Sequence, residues 1–421
     1  MISTRDINEN ISLSYIPMTK LKTTSMGVYI HTPLSSETAS NNSLLASILK
    51  QGSKDYPTLD VLVKKLNYLY GASISASVSK KGEDHVLSFE AECISDKYTY
   101  DNEKLLNELF EVVFSVIFRP NVKDNAFDEK VFMQEQKNLI DRIKASVNDK
   151  RVYANERLCE ITCEGSPYEV SRLGNIETVE KITAKSLYEY YVKMISSSKI
   201  DIFVSGDADF DSFADKVSDL TKDMSFVSAE IPKTSMLSQR EEVKYVTDRM
   251  EVTQGKLAMS FTTGIEQSSD KFWGITVANS IFGGGAHSKL FNNVREKLSL
   301  AYYAGSQLHK MKGFIAVNAG VEFENFDKAR EEILLQLDEL KKGNITNEEL
   351  VASKMALINS LNSYYDDQLY LQAFYLGEKI AGTNYTIDDY IRNIEAVTLD
   401  DITEAAKDIT LSTVYLLAGK E

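Results

Sequence analysis

Val179-Glu-Lys-Ile-Thr183, a helical stretch through Tyr190 and Tyr191, and Lys199-Ile-Asp-Ile-Phe-Val-Ser-Gly206 close the first half of the chain. The second half closes the same way, with Ile394-Glu-Ala-Val-Thr398, a helical stretch through Ala405, and Thr413-Val-Tyr-Leu-Leu-Ala-Gly419. Both read helix, short turn, apolar strand, glycine, and self-similarity of this kind marks a duplicated unit. Upstream the match recurs. Gly71-Ala-Ser-Ile-Ser-Ala-Ser-Val78 and Leu300-Ala-Tyr-Tyr-Ala-Gly-Ser306 each follow a helical segment, and each leads through a polar turn to a second strand, Val86 to Cys93 and Phe314 to Val321. Strand, glycine-containing turn and strand at period two are a hairpin signature. Long helical patterns follow, Phe127 to Ser146 and Asn347 to Tyr364.

Hairpins followed by clustered helices predict an α+β fold: two tandem homologous domains, each a mostly antiparallel β-sheet covered by α-helices on one face. Ser225 to Gln239, with Pro232 and several serines, holds neither a clean helix nor a clean strand. The predicted organisation is an N-terminal domain at 1–224, a linker at 225–239 and a C-terminal domain at 240–421.

Aspartate and glutamate outnumber lysine and arginine by 62 to 47, a net charge of −15 over 421 residues. That balance argues against non-specific affinity for nucleic acid or anionic membranes and tolerates a cationic or extended ligand. No apolar run approaches the roughly 20 residues of a membrane span, and Met1 to Thr19 lacks a signal-peptide pattern, so a cytoplasmic protein is expected. The three cysteines fit that placement. Cys93 falls in a probable strand, and Cys159 and Cys163 lie four apart on a probable helix with no histidine nearby, a pattern that reads as buried thiols. Gly283-Gly-Gly285 lacks the Lys-Ser or Lys-Thr of a phosphate loop and reads as a flexible turn before a helix.

Several segments in order carry a resemblance: Tyr29-Ile-His-Thr-Pro-Leu34, Gly52 closing the first helix, Gly71 to Ala76, Arg172-Leu-Gly-Asn-Ile-Glu-Thr-Val179, Ser205-Gly-Asp207, and Arg295-Glu-Lys-Leu-Ser-Leu-Ala-Tyr302. Together they resemble the insulinase or pitrilysin-like (inverzincin) metallopeptidases over nearly the whole chain. The resemblance implies the LuxS/metallohydrolase-like fold of mitochondrial processing peptidase and a peptide-sized chamber.

Members of that family bind zinc through H-x-x-E-H on a helix, with histidines at i and i+4 on one face and the glutamate as general base. Counted from Gly52, the motif falls on Ser43-Leu-Leu-Ala46-Ser47. Serine hydroxyls are poor zinc ligands and alanine takes no proton from water, so metal-activated hydrolysis has no carrier. The third ligand position falls at Arg142, a cation. His31, His85, His287 and His309 are scattered, none within a helical turn of another, and read as ordinary strand, turn and loop positions. No metal or other cofactor is expected, and the chain alone is expected to have no catalytic residue.

The substrate-contacting arginine and tyrosine of active members, seven apart, are present as Arg295 and Tyr302, although Ser299 replaces the family's usual glycine. Arginine supplies N–H donors for carbonyls, and a tyrosine hydroxyl can meet a developing oxyanion. In the heterodimeric bacterial branch, the metal residues lie on one subunit, and the arginine and tyrosine on the other. The resemblance therefore implies an inactive subunit that pairs with a zinc-bearing homologue around a peptide substrate, with self-association open to the isolated chain. The alternative is a non-enzymatic scaffold that keeps the peptidase fold. Within the family, Lys20 to Leu34, Lys50-Gln-Gly-Ser-Lys-Asp-Tyr-Pro57 and Leu69 to Ser73 look like the non-catalytic branch associated with 5-aminopentanol modification of elongation factor P.

Overall fold

The computed structural model describes residues 2–101 and 103–420, which sort into two compact units. One unit comprises the chain up to Lys144 together with Val170–Lys233 and Tyr364–Ile380. The other comprises Ala145–Glu169, Thr234–Ser363 and Ala381–Glu421.

The first unit is built on β1 (Ser3–Asp6), β2 (Ile11–Pro17), β3 (Thr23–Pro33), β4 (Ser73–Lys81), β5 (Asp84–Ile94) and, past a small ribbon of β6 (Val122–Lys123) and β7 (Ala126–Phe127), β8 (Ile200–Gly206). Their order in the sheet is β1-β2-β8-β3-β5-β4, and only β2 and β8 pair in parallel. Side chains alternate across a strand, so period-two apolar residues share a face. Met26, Val28 and Ile30 with Leu87, Phe89 and Ala91 and with Ile200, Ile202 and Val204 are all buried in one core with the Ala39–Leu49 and Leu105–Phe118 helices. The opposite face carries Ser12, Ser25, His31, Asp84, Asp201 and Ser205, and the Gln368–Ile380 helix lies across it. Gln372 Nε2 donates to Ser205 Oγ at 2.9 Å and to the Ser25 carbonyl at 3.2 Å.

In the second unit β9 (Lys244–Arg249), β10 (Gly255–Thr262), β11 (Ala301–His309), β12 (Phe314–Val321) and β13 (Thr410–Ala418) form a sheet of order β11-β12-β10-β13-β9, parallel only at β13 and β9. Strand for strand, β9, β13, β10, β12 and β11 take the places of β2, β8, β3, β5 and β4. The sequence repeat is thus a repeat of topology. Ala154, Leu158 and Ile161 of the Lys150–Thr162 helix pack with Ala258, Phe314, Ala316, Tyr415 and Leu417, and the Phe272–Gly283 helix is buried along most of its length.

The α+β reading with mostly antiparallel sheets holds, and the structure adds one helix across the second face of each sheet. Lys150–Thr162 precedes the 225–239 segment but belongs to the second unit, whereas Gln368–Ile380 follows that segment and belongs to the first. Residues 224–243 contain no helix or strand. Cys93, Cys159 and Cys163 are all buried. Among the described residues, no helix is long and apolar enough to cross a membrane.

Candidate functional site

Ser43, Ala46 and Ser47 lie buried on the Ala39–Leu49 helix, and the i, i+4 spacing puts the two serines on one face. The Glu129–Ser146 helix brings Arg142 to them: its Nη2 donates to Ser47 Oγ at 3.0 Å. Ser47 Oγ in turn donates to the Ser43 carbonyl at 3.3 Å, and Ser43 Oγ to the Arg172 carbonyl at 2.9 Å. Gly174, at φ +76, permits that approach, because a Cβ there would lie 2.7 Å from the Ser40 backbone nitrogen. The positions that the resemblance assigns to a zinc ion and its base carry hydroxyls engaged with the protein, a methyl group and a guanidinium. These residues do not fit the metal, since a fixed cation repels a divalent one and neutral hydroxyls bind it weakly. Among the described residues, no group of three or more His, Cys, Asp or Glu side chains could hold a metal ion.

Beside this helix the polar groups form a chain. Tyr190 Oη donates to Asn42 Oδ1 at 2.8 Å, and Asn42 Nδ2 lies 2.8 Å from Thr32 Oγ1 and 2.9 Å from His85 Nδ1. Burial pushes the His85 imidazole down to about 4, so it is neutral near pH 7. His85 sits buried in β5.

A second cluster escaped the sequence reading. His31 Nδ1 lies 2.5 Å from Asp84 Oδ2, and its Nε2 lies 3.2 Å from Asp201 Oδ2. Lys379 of the Gln368–Ile380 helix donates to Asp201 Oδ1 at 2.6 Å and to Ser12 Oγ at 2.5 Å. Burial alone would lower the His31 pKa, but the hydrogen bonds to Asp201 and Asp84 raise it to about 9. Burial acts against Asp201 ionisation, yet the His31 and Lys379 charges hold it at about 2, whereas burial prevails at Asp84 and raises it. The available signal was Asp201 itself, a carboxylate in the apolar run Lys199 to Gly206.

Arg295 and Tyr302 both stand on the second unit. Arg295 belongs to a π-helix, Leu290–Lys297, and lies 4.6 Å over the Phe291 ring with Glu296 at 3.4 Å. Tyr302, 62% exposed, donates its hydroxyl proton to Glu322 Oε1 at 2.6 Å rather than packing on the sheet. The two hold separate partners and do not bind each other. Phe291, beneath Arg295, and Tyr303, beside Tyr302, line a cavity of about 670 Å³ along β11, the edge strand, with Gly283, Gly284 and Gly285 on its wall. Gly283 ends its helix in close packing, since a Cβ there would meet the Ser306 backbone nitrogen at 2.5 Å, and Gly284 and Gly285 form the bend that follows. His287 Nε2 lies 3.2 Å from Ser280 Oγ, and His309 stacks on Phe314 with ring centres 4.2 Å apart. On and just before the Gln368–Ile380 helix, Tyr364 stacks on Tyr370 and meets Phe374 edge-on, and Phe374 meets Tyr375.

Two α+β units whose sheets share a five-strand order, the first with β1 added at its edge, and a helix that presents serines bound to an arginine where the resemblance expects metal ligands, fit an inactive homologue of a metallopeptidase. Residues 181–357 match the family described as the Peptidase M16 inactive domain. The chain is 34% identical over 402 residues to a probable inactive metalloprotease, YmfF, of Bacillus subtilis, covering 96% of this chain and 94% of that protein. It is 24% identical over 322 residues to an uncharacterised zinc protease, YmxG, of the same species, covering 75% and 76%. The crystal structure of a conserved protein from Enterococcus faecalis superposes with a TM-score of 0.91 at 31% identity, covering 100% of this chain and 99% of that one. This chain belongs to the M16 peptidase family.

Proposed function

We propose that the chain is the non-catalytic half of a cytoplasmic heterodimeric peptidase. It pairs with a zinc-bearing M16 homologue and brings Arg295 and Tyr302 to a shared chamber where the partner's metal cleaves a peptide. The observation that carries this reading is a contrast within one chain: Arg142 is bonded to Ser47 at the positions the resemblance assigns to the metal, while Arg295 and Tyr302 remain at the surface beside an edge-strand groove. An edge strand offers unpaired N–H and C=O groups to an extended peptide, and the guanidinium adds donors for its carbonyls. The likeness to a zinc protease supports the existence of metal-bearing relatives with which such a chain could pair.

The test is peptide cleavage by the zinc-bearing homologue with this chain, wild type or Arg295→Ala/Tyr302→Phe, accompanied by size-exclusion chromatography. The reading requires no turnover by this chain alone, turnover by the pair, and a loss of turnover with the double variant. A stable pair whose turnover ignores both substitutions would replace it with a scaffold role. The elongation factor P association is tested separately, by mass spectrometry of that factor after deletion of the gene.

A further inference from the structure

Tyr302 stands where the backbone is twice distorted. Ser299 takes φ +50, a left-handed conformation uncommon for a residue with a Cβ. Pairing of β11 with β12 then slips between Ala301, opposite Val321, and Tyr303, opposite Gly320. A bulge leaves one residue unpaired and re-aims its side chain. Here that residue is Tyr302, turned to solvent, whereas Tyr303 is half-buried beneath Arg151, 4.6 Å from its ring centre.

The hydroxyl presented in this way already has an acceptor. Glu322, one residue beyond the end of β12, accepts its hydrogen bond at 2.6 Å, and that charge-assisted bond raises the Tyr302 pKa above its ordinary value. A phenol has a single proton to donate. Once a carboxylate holds it, the oxygen offers only lone pairs.

We propose that Glu322 is a positioning residue that fixes the polarity of the substrate contact, making Tyr302 an acceptor for a peptide N–H while Arg295 donates to peptide carbonyls. The inference rests on the reading that Arg295 and Tyr302 meet a peptide, and it gives them complementary tasks. An extended backbone presents both a donor and an acceptor at every residue other than proline, so one arginine and one glutamate-held tyrosine suffice to grip it by both. Such a grip acts in the ground state and governs binding. Donation from Tyr302 to an oxyanion would require its hydrogen bond to Glu322 to break first.

The experiment uses the full chain with its zinc-bearing homologue and an internally quenched fluorogenic peptide that the wild-type pair cleaves. Tyr302→Phe and Glu322→Ala should each raise KM about tenfold at unchanged kcat, the upper end of what one lost neutral hydrogen bond costs. The double variant should be no worse than either single one, and Glu322→Gln, whose amide oxygen still accepts, should stay near the wild-type KM. If Tyr302→Phe lowers kcat alone and Glu322→Ala raises it, the hydroxyl is a transition-state donor and the inference is overturned. Tyr302→Phe impaired beside a fully active Glu322→Ala removes the role of Glu322 and leaves the substrate contact standing. An unaffected Tyr302→Phe, or a wild-type pair that cleaves no peptide, defeats the parent reading instead.

Discussion

His31 is a cation held between two carboxylates on a sheet face, with a lysine from a helix more than 340 residues later closing the group. Its pKa rises from 6.5 to about 9 on folding, so the stability it contributes is complete below pH 6.5 and fades as pH climbs through 9. Asp201 works in the opposite sense: its depression from 3.8 to about 2 supplies stability above pH 3.8 that is lost as pH falls toward 2. Urea unfolding should therefore show stability falling by on the order of 2–3 kcal/mol between pH 6.5 and 9.5, and His31→Asn should flatten that slope. A wild-type slope that survives the substitution would assign the loss to other groups. The positions that the resemblance assigns to the metal allow a constructive experiment at the same scale. Ser43→His, Ala46→Glu, Ser47→His and Arg142→Glu together restore the ligand pattern on helices that already place Ser47 and Arg142 in contact. Stoichiometric zinc by elemental analysis is the expected outcome, and a metal-free quadruple variant would show that the backbone has drifted from the ligating geometry.

Among the elements, Gly283 and Gly285 separate two meanings of glycine. A methyl at Gly283 would press on the Ser306 backbone at 2.5 Å, whereas at Gly285 it would meet only the His287 ring at 3.1 Å, without a left-handed φ in either case. Gly283→Ala should cost about 2 kcal/mol in thermal or urea unfolding, as overpacking does, and Gly285→Ala should change stability by under about 0.5 kcal/mol. Equal effects would contradict this account. The sequence showed three glycines but not which of them faces a neighbouring backbone, because that neighbour, Ser306, is more than 20 residues away. Hairpins were legible: β4 with β5 and β11 with β12 lie where alternation and turn glycines placed them. The π-helix that carries Arg295 and the bulge that turns Tyr302 outward were not, since neither shift of register alters the apolar pattern that signals a helix or a strand.

Across the molecule, the duplication was legible because it repeats turns and apolar strands in the same order, and local chemistry writes both. The helix exchange was hidden for a related reason. Amphipathic spacing says that a helix has a face to bury, but not which sheet will receive it. Leu158 and Ile161 are buried on the sheet of the second unit, and Gln372 and Lys379 are bonded to strands of the first. A chain cut within 225–239 therefore leaves each piece without the helix that covers one face of its sheet. Residues 1–224 would expose the Ser12, His31 and Asp201 face with no Lys379 to meet its charge, and residues 240–421 would expose Phe314, Tyr415 and Leu417. Each piece expressed alone should lack cooperative thermal unfolding by circular dichroism, and the two co-expressed should restore it as a complex. Independent cooperative folding of either piece would mean that its lent helix is dispensable and that the sequence repeat is itself the folding unit.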